Sequence, residues 1–121
     1  MTSKRLFLLP ALAALAAAAA LVPVGLSATN AQTVRVTETS YRIKLSAAPK
    51  AGKVRFLVRN ASGDDHDFWL TGGGKTFRTR VLGEGRTASL TATLKKGVRY
   101  RFWCAVDDHR LEGMSGSFVA R

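Results

Sequence analysis

Residues 98–114 read VRYRFWCAVDDHRLEGM, a strand pattern that runs directly into a loop rich in side chains with donor atoms. In the first seven residues, Tyr100, Phe102 and Cys104 share one face, while arginines and Trp103 share the other. Alternation with a period of two indicates a half-buried β-strand whose apolar face packs on a core. The stretch therefore predicts an inward-facing cysteine at the end of a strand.

The loop after this strand places three different donors at equal spacing. Four residues separate Cys104 from His109, and four more separate His109 from Met114. Two imidazoles and a thiolate with a weak axial thioether make a blue-copper site, whereas zinc sites rarely use a thioether. The second imidazole would come from His66, the other histidine of the chain. Taken singly, the cysteine could be a buried apolar thiol or form an intermolecular bridge, and Met114 could fill the core.

The rest of the chain after residue 31 repeats the period of two. The clearest case is residues 53–59, in which Val54, Phe56 and Val58 alternate with basic residues and Leu57. Gly, Pro and Asn clusters separate short segments of this kind, and no segment shows helical periodicity of useful length. Strands are expected near residues 33–37, 41–45, 53–59, 67–70, 88–94, 98–104 and 117–120, with residues 75–81 unassigned. The pattern predicts an all-β antiparallel sandwich of seven to eight strands.

Residues 32–121 resemble the plastocyanin- and azurin-like cupredoxins. The matching segments are GKVRFLVRN (52–60), HDF (66–68), LKKG (94–97), YRFWC (100–104) and GMSG (113–116). The resemblance implies a Greek-key β-sandwich that holds one type 1 copper ion, with His66, Cys104, His109 and Met114 as ligands. It also implies a small one-electron carrier and not an enzyme, with His109 exposing its outer ring edge to a redox partner protein and the domain acting as a monomer.

The sequence departs from the family pattern beside two of these ligands. Asp107 and Asp108 stand where many relatives have Pro or Gly before the second histidine, and Asp67 stands where several have an Asn that braces the copper loop. The ligand set is intact, so these changes concern the loop's rigidity and the reduction potential. Trp103 occupies a position where plastocyanin-like proteins carry an aromatic residue at a remote contact patch. It is either an electron relay or a half-buried surface side chain.

The N-terminal third has the composition of an export signal. Lys4 and Arg5 precede an apolar run to Leu26, and Thr29-Asn30-Ala31 is typical of a signal-peptidase site. Residues 1–31 are therefore predicted to be a signal peptide, and residues 32–121 a copper-binding domain. The run is also long enough to be a retained membrane anchor. In both cases the domain lies outside the cytoplasm, in the periplasm, in the cell wall or in the extracellular space.

Charge is distributed unevenly along the chain. The net charge is +11, yet six of the eight acidic residues lie in the two segments that carry the predicted ligands: Asp64, Asp65, Asp67, Asp107, Asp108 and Glu112. If the fold joins these segments, the copper end is acidic and the body is basic. A partner that docks there is then expected to be basic or neutral. Export argues against nucleic acid as the partner of the basic residues.

Two other functions remain open from the sequence. A copper carrier or buffer would use the same four ligands without a redox partner, and the acidic segments could attract the cation. A metal-free sandwich could serve adhesion or binding. Copper release to a competing chelator separates the first from an electron carrier, and a copper titration separates the second.

Overall fold

Alternating apolar and basic side chains build the central strand of one sheet. In the computed structural model, the strand that spans Gly52–Asn60 buries Val54, Phe56 and Val58 completely and exposes Arg55 and Arg59. Full burial of such side chains stabilises the fold by about 1.5 to 3 kcal/mol each. The described residues are 31–121 together with 1–3, 5, 10, 11, 13, 14 and 17–20.

Residues 31–121 form two four-stranded sheets and contain no helix. The first sheet has the order β2-β1-β3-β6 and the second the order β5-β4-β7-β8. The strands are β1 (Gln32–Thr39), β2 (Arg42–Leu45), β3 (Gly52–Asn60), β4 (Trp69–Gly72), β5 (Lys75–Arg78), β6 (Thr87–Leu94), β7 (Arg99–Trp103) and β8 (Ser115–Val119). The predicted all-β sandwich and the upper strand number are confirmed. The segment that the pattern left unassigned contains β5, which is short and mostly exposed.

One strand pair differs from the antiparallel prediction. β1 pairs with β3 in parallel, with Val36 opposite Val58, while β1 and β2 form an antiparallel hairpin. The segment after β2 crosses to the far edge of β1, so β3 enters the sheet beside β1 and runs in its direction. A period of two gives the same alternation in both kinds of pair, so the sequence pattern could not separate them.

The core lies between the two sheets. Val34, Val36 and Phe56 from the first sheet meet Leu70, Tyr100 and Phe102 from the second and Phe68, the residue before β4. The inward positions predicted for Tyr100, Phe102 and Cys104 are confirmed by exposures of 2%, 7% and 0%. At one end of this core, β3 and β7 finish while β4 and β8 begin. That end collects the loops that carry the candidate ligands.

The predicted export signal, residues 1–31, lies for the most part outside the described residues. Within the part of the chain that the structure describes, no helix has the length and hydrophobicity to cross a bilayer.

Candidate metal centre

The loop between β7 and β8 is closed by backbone hydrogen bonds among the three predicted ligands that it carries. The Cys104 amide donates to the Met114 carbonyl at 3.0 Å, and the Met114 amide donates to the His109 carbonyl at 3.0 Å. Gly113 precedes Met114 with a φ of +110°, a conformation that side chains larger than hydrogen disfavour. The loop thus brings all three residues to one place at the end of the hairpin.

His66 approaches this loop from the segment between β3 and β4. Its backbone forms an isolated antiparallel bridge with Leu82, with N–O distances of 3.0 and 2.6 Å. Its Nε2 lies 2.7 Å from the Ser62 hydroxyl, which fixes the ring and leaves Nδ1 for the centre. The His66 ring is completely buried. A histidine that is 38 residues from Cys104 in sequence thus becomes its neighbour in space.

Three donor atoms converge at distances that suit one metal ion. Cys104 Sγ lies 3.8 Å from His66 Nδ1 and 3.7 Å from His109 Nδ1, and the two nitrogens are 3.1 Å apart. An ion about 2.0 Å from each nitrogen and about 2.3 Å from the sulfur gives sulfur–nitrogen separations of about 3.7 Å when the angle at the ion is about 120°. The soft thiolate and two imidazoles therefore fit a copper or zinc ion in near-trigonal geometry.

Met114 completes the predicted set by position. Its side chain is fully buried, and its backbone is bonded to both Cys104 and His109. The structure thus places the four predicted residues close together. The donor atoms of three of them, His66, Cys104 and His109, lie within 4.8 Å of one another. Coordination by the Met114 thioether remains a prediction, as do the other metal bonds.

Burial shifts the pKa values of two of these groups toward their neutral forms. It raises the pKa of the Cys104 thiol to about 11, and the nearby charges of Asp67 and Glu38 act in the same direction. It lowers the pKa of His66 below its usual value, assisted by repulsion from His109. At neutral pH the thiol is therefore protonated, so a cation that binds here must displace the Cys104 proton.

Asp67 braces the centre from beside His66. Its Oδ1 accepts a hydrogen bond from the Ala105 amide at 2.7 Å, and its Oδ2 accepts one from Trp69 Nε1 at 2.9 Å. Asp67, which stands where several cupredoxins have Asn, therefore still holds the loop after β7 in place, because its carboxylate accepts the hydrogen bonds from Ala105 and Trp69. Asp67 is only 8% exposed, so it does not contribute to an acidic surface as its sequence position indicated.

Asn60 holds the segment that leads to His66. Its Nδ2 donates to the carbonyls of Asp64 and Leu82 at 2.6 and 2.8 Å, and its Oδ1 accepts from the Ser62 amide and hydroxyl at 2.9 and 3.1 Å. The sequence marked this residue only as the end of a strand. Its buried amide is instead the hub that positions the Ser62 hydroxyl against His66.

Replacement of Asn60 by alanine is expected to destabilise the metal-free chain by about 2 to 4 kcal/mol. Loss of the amide leaves the Ser62 amide without its partner and removes one of the two hydrogen bonds that the Leu82 carbonyl accepts, the other coming from the His66 amide. An unsatisfied buried group costs about 1 to 3 kcal/mol and each further lost hydrogen bond about 1 kcal/mol. Chemical unfolding at pH 7 measures the change. Ser89→Ala, on the outer face of β6, serves as the control. A loss below 1 kcal/mol for Asn60→Ala would contradict the role of a hub.

Glu38 is a buried acid that the sequence analysis missed. It is fully buried on β1, and neither carboxyl oxygen has a hydrogen-bond partner among the described residues. Burial raises its pKa to about 8, and the negative charge of Asp67 adds to the shift. The signal was present in the sequence, because Glu38 follows Val34 and Val36 at the same spacing on the inward face.

Acidic side chains line an open cleft beside the centre. Asp64 and Asp65 from one segment and Asp107 from the other meet there with half-buried His109. Tyr41 packs its ring edge-on against His109, with the ring centroids 5.5 Å apart. The predicted joining of the two acidic segments is observed for these three aspartates.

Solved structures of auracyanins share this architecture. An auracyanin from the photosynthetic bacterium Roseiflexus castenholzii is 16% identical, with a TM-score of 0.63, over 75% of this chain and 98% of that one. Auracyanin B is 21% identical, with a TM-score of 0.65, over 77% and 91%. Auracyanin A, a "blue" copper protein from the green thermophilic photosynthetic bacterium Chloroflexus aurantiacus, is 16% identical, with a TM-score of 0.65, over 76% and 100%. No family model and no curated protein matches the sequence. The predicted cupredoxin-like fold is confirmed.

Proposed function

We propose that this chain is an exported type 1 copper protein that carries single electrons. The observation that supports this most directly is the convergence of His66 Nδ1, Cys104 Sγ and His109 Nδ1 within 3.8 Å of one another. The same fold holds copper in the protein described as auracyanin A. Buried Met114 would supply a weak thioether donor. A bound copper ion would provide a one-electron couple between Cu(I) and Cu(II).

The chain's own residues restrict this chemistry to electron transfer. The hydrogen bond between the Ser62 hydroxyl and His66 Nε2 and the backbone bonds with Leu82 hold His66 in place, and the backbone pairing of Cys104 with Met114 fixes the loop. A donor set held in one geometry needs little rearrangement between oxidation states, and four protein donors leave no open position for a substrate. The proposal is therefore a carrier and not an enzyme.

A titration with Cu(II) tests the proposal. The chain is expected to bind one equivalent and to develop an intense visible absorption, because a thiolate–copper bond gives a strong charge-transfer transition. Reduction should bleach this absorption reversibly. If one equivalent of Cu(II) gives no intense visible absorption, the type 1 site is refuted and a metal-free binding domain is favoured.

A copper carrier without a redox partner is the second candidate. The acidic cleft beside half-buried His109 favours it, since Asp64, Asp65 and Asp107 would concentrate a cation at the edge of the centre. Exchange with a Cu(I) chelator separates the candidates. A carrier releases copper within minutes, whereas an electron carrier retains it through repeated redox cycles.

We further propose that residues 1–31 direct export or anchor the chain, and that residues 32–121 act as a monomer outside the cytoplasm. A redox partner is proposed to dock at the cleft beside His109, where the three aspartates favour a basic or neutral surface.

The docking proposal predicts the behaviour of a cationic reductant. Hexaammineruthenium(II) is expected to reduce the Cu(II) protein roughly three- to tenfold more slowly in Asp64→Asn/Asp107→Asn at low salt, because the cleft loses two negative charges. Glu84→Gln/Glu112→Gln removes the same charge outside the cleft and should change the rate less than about twofold. Equal rates for both double variants would refute docking at the cleft.

A further inference from the structure

The outer face of the second sheet carries a row of arginine and tryptophan side chains, here called the Arg–Trp ladder. Trp69 on β4 and Trp103 on β7 are cross-strand partners whose rings stack at 5.8 Å with an interplanar angle of 20°. The Arg78 guanidinium lies 5.0 Å from the Trp69 ring centroid, and that of Arg110 lies 4.6 Å from the Trp103 ring centroid. These four residues form the ladder.

Positive charge dominates the face around the ladder. The outward positions of its four strands are Trp69, Thr71, Thr76, Arg78, Arg99, Arg101, Trp103, Ser115, Ser117 and Val119, and none of them is acidic. Three acids lie two residues from a ladder member in sequence. Asp67 is nearly buried, and both of its oxygens accept internal hydrogen bonds, whereas Asp108 and Glu112 are exposed in the loop that carries Arg110. The outward strand positions of this face have a charge opposite to that of the cleft beside His109.

The ladder leaves specific groups available for binding. Strand order β5-β4-β7 places Arg78 and Trp103 on opposite sides of Trp69, so this indole does not offer a free face for stacking on a sugar ring. A guanidinium held over an indole ring by a cation–π contact keeps N–H donors in its own plane that can pair with a carboxylate. Arginine and tryptophan held in place by stacking also lose little conformational entropy on binding.

The ladder is joined to the candidate metal centre at two points. Trp103 precedes Cys104 in the chain, and Trp69 donates its indole N–H to Asp67, which follows His66. A protein docked on this face would lie one residue away from two of the proposed ligands.

We propose that the Arg–Trp ladder, together with Arg99 and Arg101, is a docking surface for a carboxylate-rich partner protein. Charge complementarity selects this occupant, since the outward strand positions of this face present guanidinium donors and no acid. The role of the partner in electron exchange rests on the function proposed above, whereas docking itself does not require the metal. The molecule then has two docking surfaces of opposite charge preference.

Hexaglutamate is the probe for this surface. Titrated into the full-length, ¹⁵N-labelled chain at low salt, it is expected to shift the indole N–H signals of Trp69 and Trp103, in the metal-free and in the Cu(I) form. Binding should weaken steeply when the salt concentration rises to 0.2 M, because exposed charges are screened beyond about 8 Å. Hexalysine should leave both indole signals in place.

Matched variants separate the ladder from net charge. Arg78→Gln/Arg110→Gln is expected to weaken hexaglutamate binding roughly fivefold or more, since glutamine loses the charge-assisted hydrogen bonds of the two guanidinium groups to the peptide carboxylates. Arg55→Gln/Arg59→Gln removes the same charge from the outer face of the other sheet and should change affinity less than about twofold. Arg78→Lys/Arg110→Lys keeps the charge but loses the planar donors, so it should bind with intermediate affinity.

Three results would overturn the proposal. They are an equal loss of affinity in both glutamine double variants, unshifted indole signals at saturating peptide, and tighter binding of a heparin tetrasaccharide than of hexaglutamate at these two indoles. The last would identify an acidic polysaccharide as the occupant. If the copper titration fails while metal-free chain binds the peptide through the ladder, the electron-carrier function is refuted and the docking surface stands.

Discussion

Cys104→Ser is expected to abolish the intense visible absorption that Cu(II) gives with the unmodified chain. A serine hydroxyl does not ionise in this environment and has no low-energy charge-transfer transition to copper, so the two imidazoles alone would leave a weakly absorbing centre. Soft Cu(I) should also bind far more weakly, because thiolate sulfur is the donor that selects it. Absorption spectra of both proteins at one equivalent of Cu(II) measure the effect.

Met114→Leu is the matched control for this experiment. It keeps the buried volume and the thiolate, so the visible band should persist while its position and the reduction potential change. In the metal-free state, Cys104→Ser is expected to cost about 1 to 3 kcal/mol, because it places a hydroxyl where the thiol was fully buried. A visible band of unchanged intensity in Cys104→Ser would exclude this residue as the ligand.

Glu38→Gln is expected to flatten the pH dependence of the free energy of unfolding. Folding raises the pKa of Glu38 from 4.5 to about 8, so the folded chain keeps a proton that the unfolded chain releases. Between these values, stability falls as pH rises, by at most about 1.4 kcal/mol per pH unit, and levels off above pH 8. By pH 7 the loss amounts to about 3 kcal/mol. A glutamine has no proton to lose and should remove this slope.

Chemical unfolding of the metal-free chain at several pH values between 5 and 8 measures the slopes. Because only the pH dependence of the two proteins is compared, the pH-independent cost of burying an amide in place of a carboxyl does not affect the result. It also cancels the contribution of His66, whose lowered pKa is common to both proteins. Exposed Glu84→Gln should keep the slope of the unmodified chain. The interpretation of Glu38 as a buried neutral acid fails if Glu38→Gln and the unmodified chain show the same slope.

Several features of the fold could be predicted from local pattern because each depends on neighbours in the chain. The alternation in residues 53–59 and 98–104 identified β3 and β7 and the side chains that they bury. The equal spacing of Cys104, His109 and Met114 indicated a loop of converging donors, and the structure closes that loop with backbone hydrogen bonds.

Other features depend on contacts between distant segments. The parallel pairing of β1 with β3 leaves no trace in the alternation of either strand. Asp67 was grouped with the surface acids because its sequence neighbours are acids, yet it turns inward to accept hydrogen bonds from Ala105 and Trp69. The Asn60 hub and the Arg–Trp ladder likewise join residues from separate strands and loops.

The sequence alone determined which residues can donate to a metal and which strands bring the loop of Cys104 to the end of a sandwich. Only the tertiary structure decided that His66 Nδ1 lies 3.8 Å from Cys104 Sγ, that Glu38 is fully buried, and that Arg78 and Arg110 lie over the stacked tryptophans of the second sheet. The reason is physical. Donor chemistry and periodicity are local properties of the chain, whereas distance, burial and the pKa values that follow from burial arise when sheets pack.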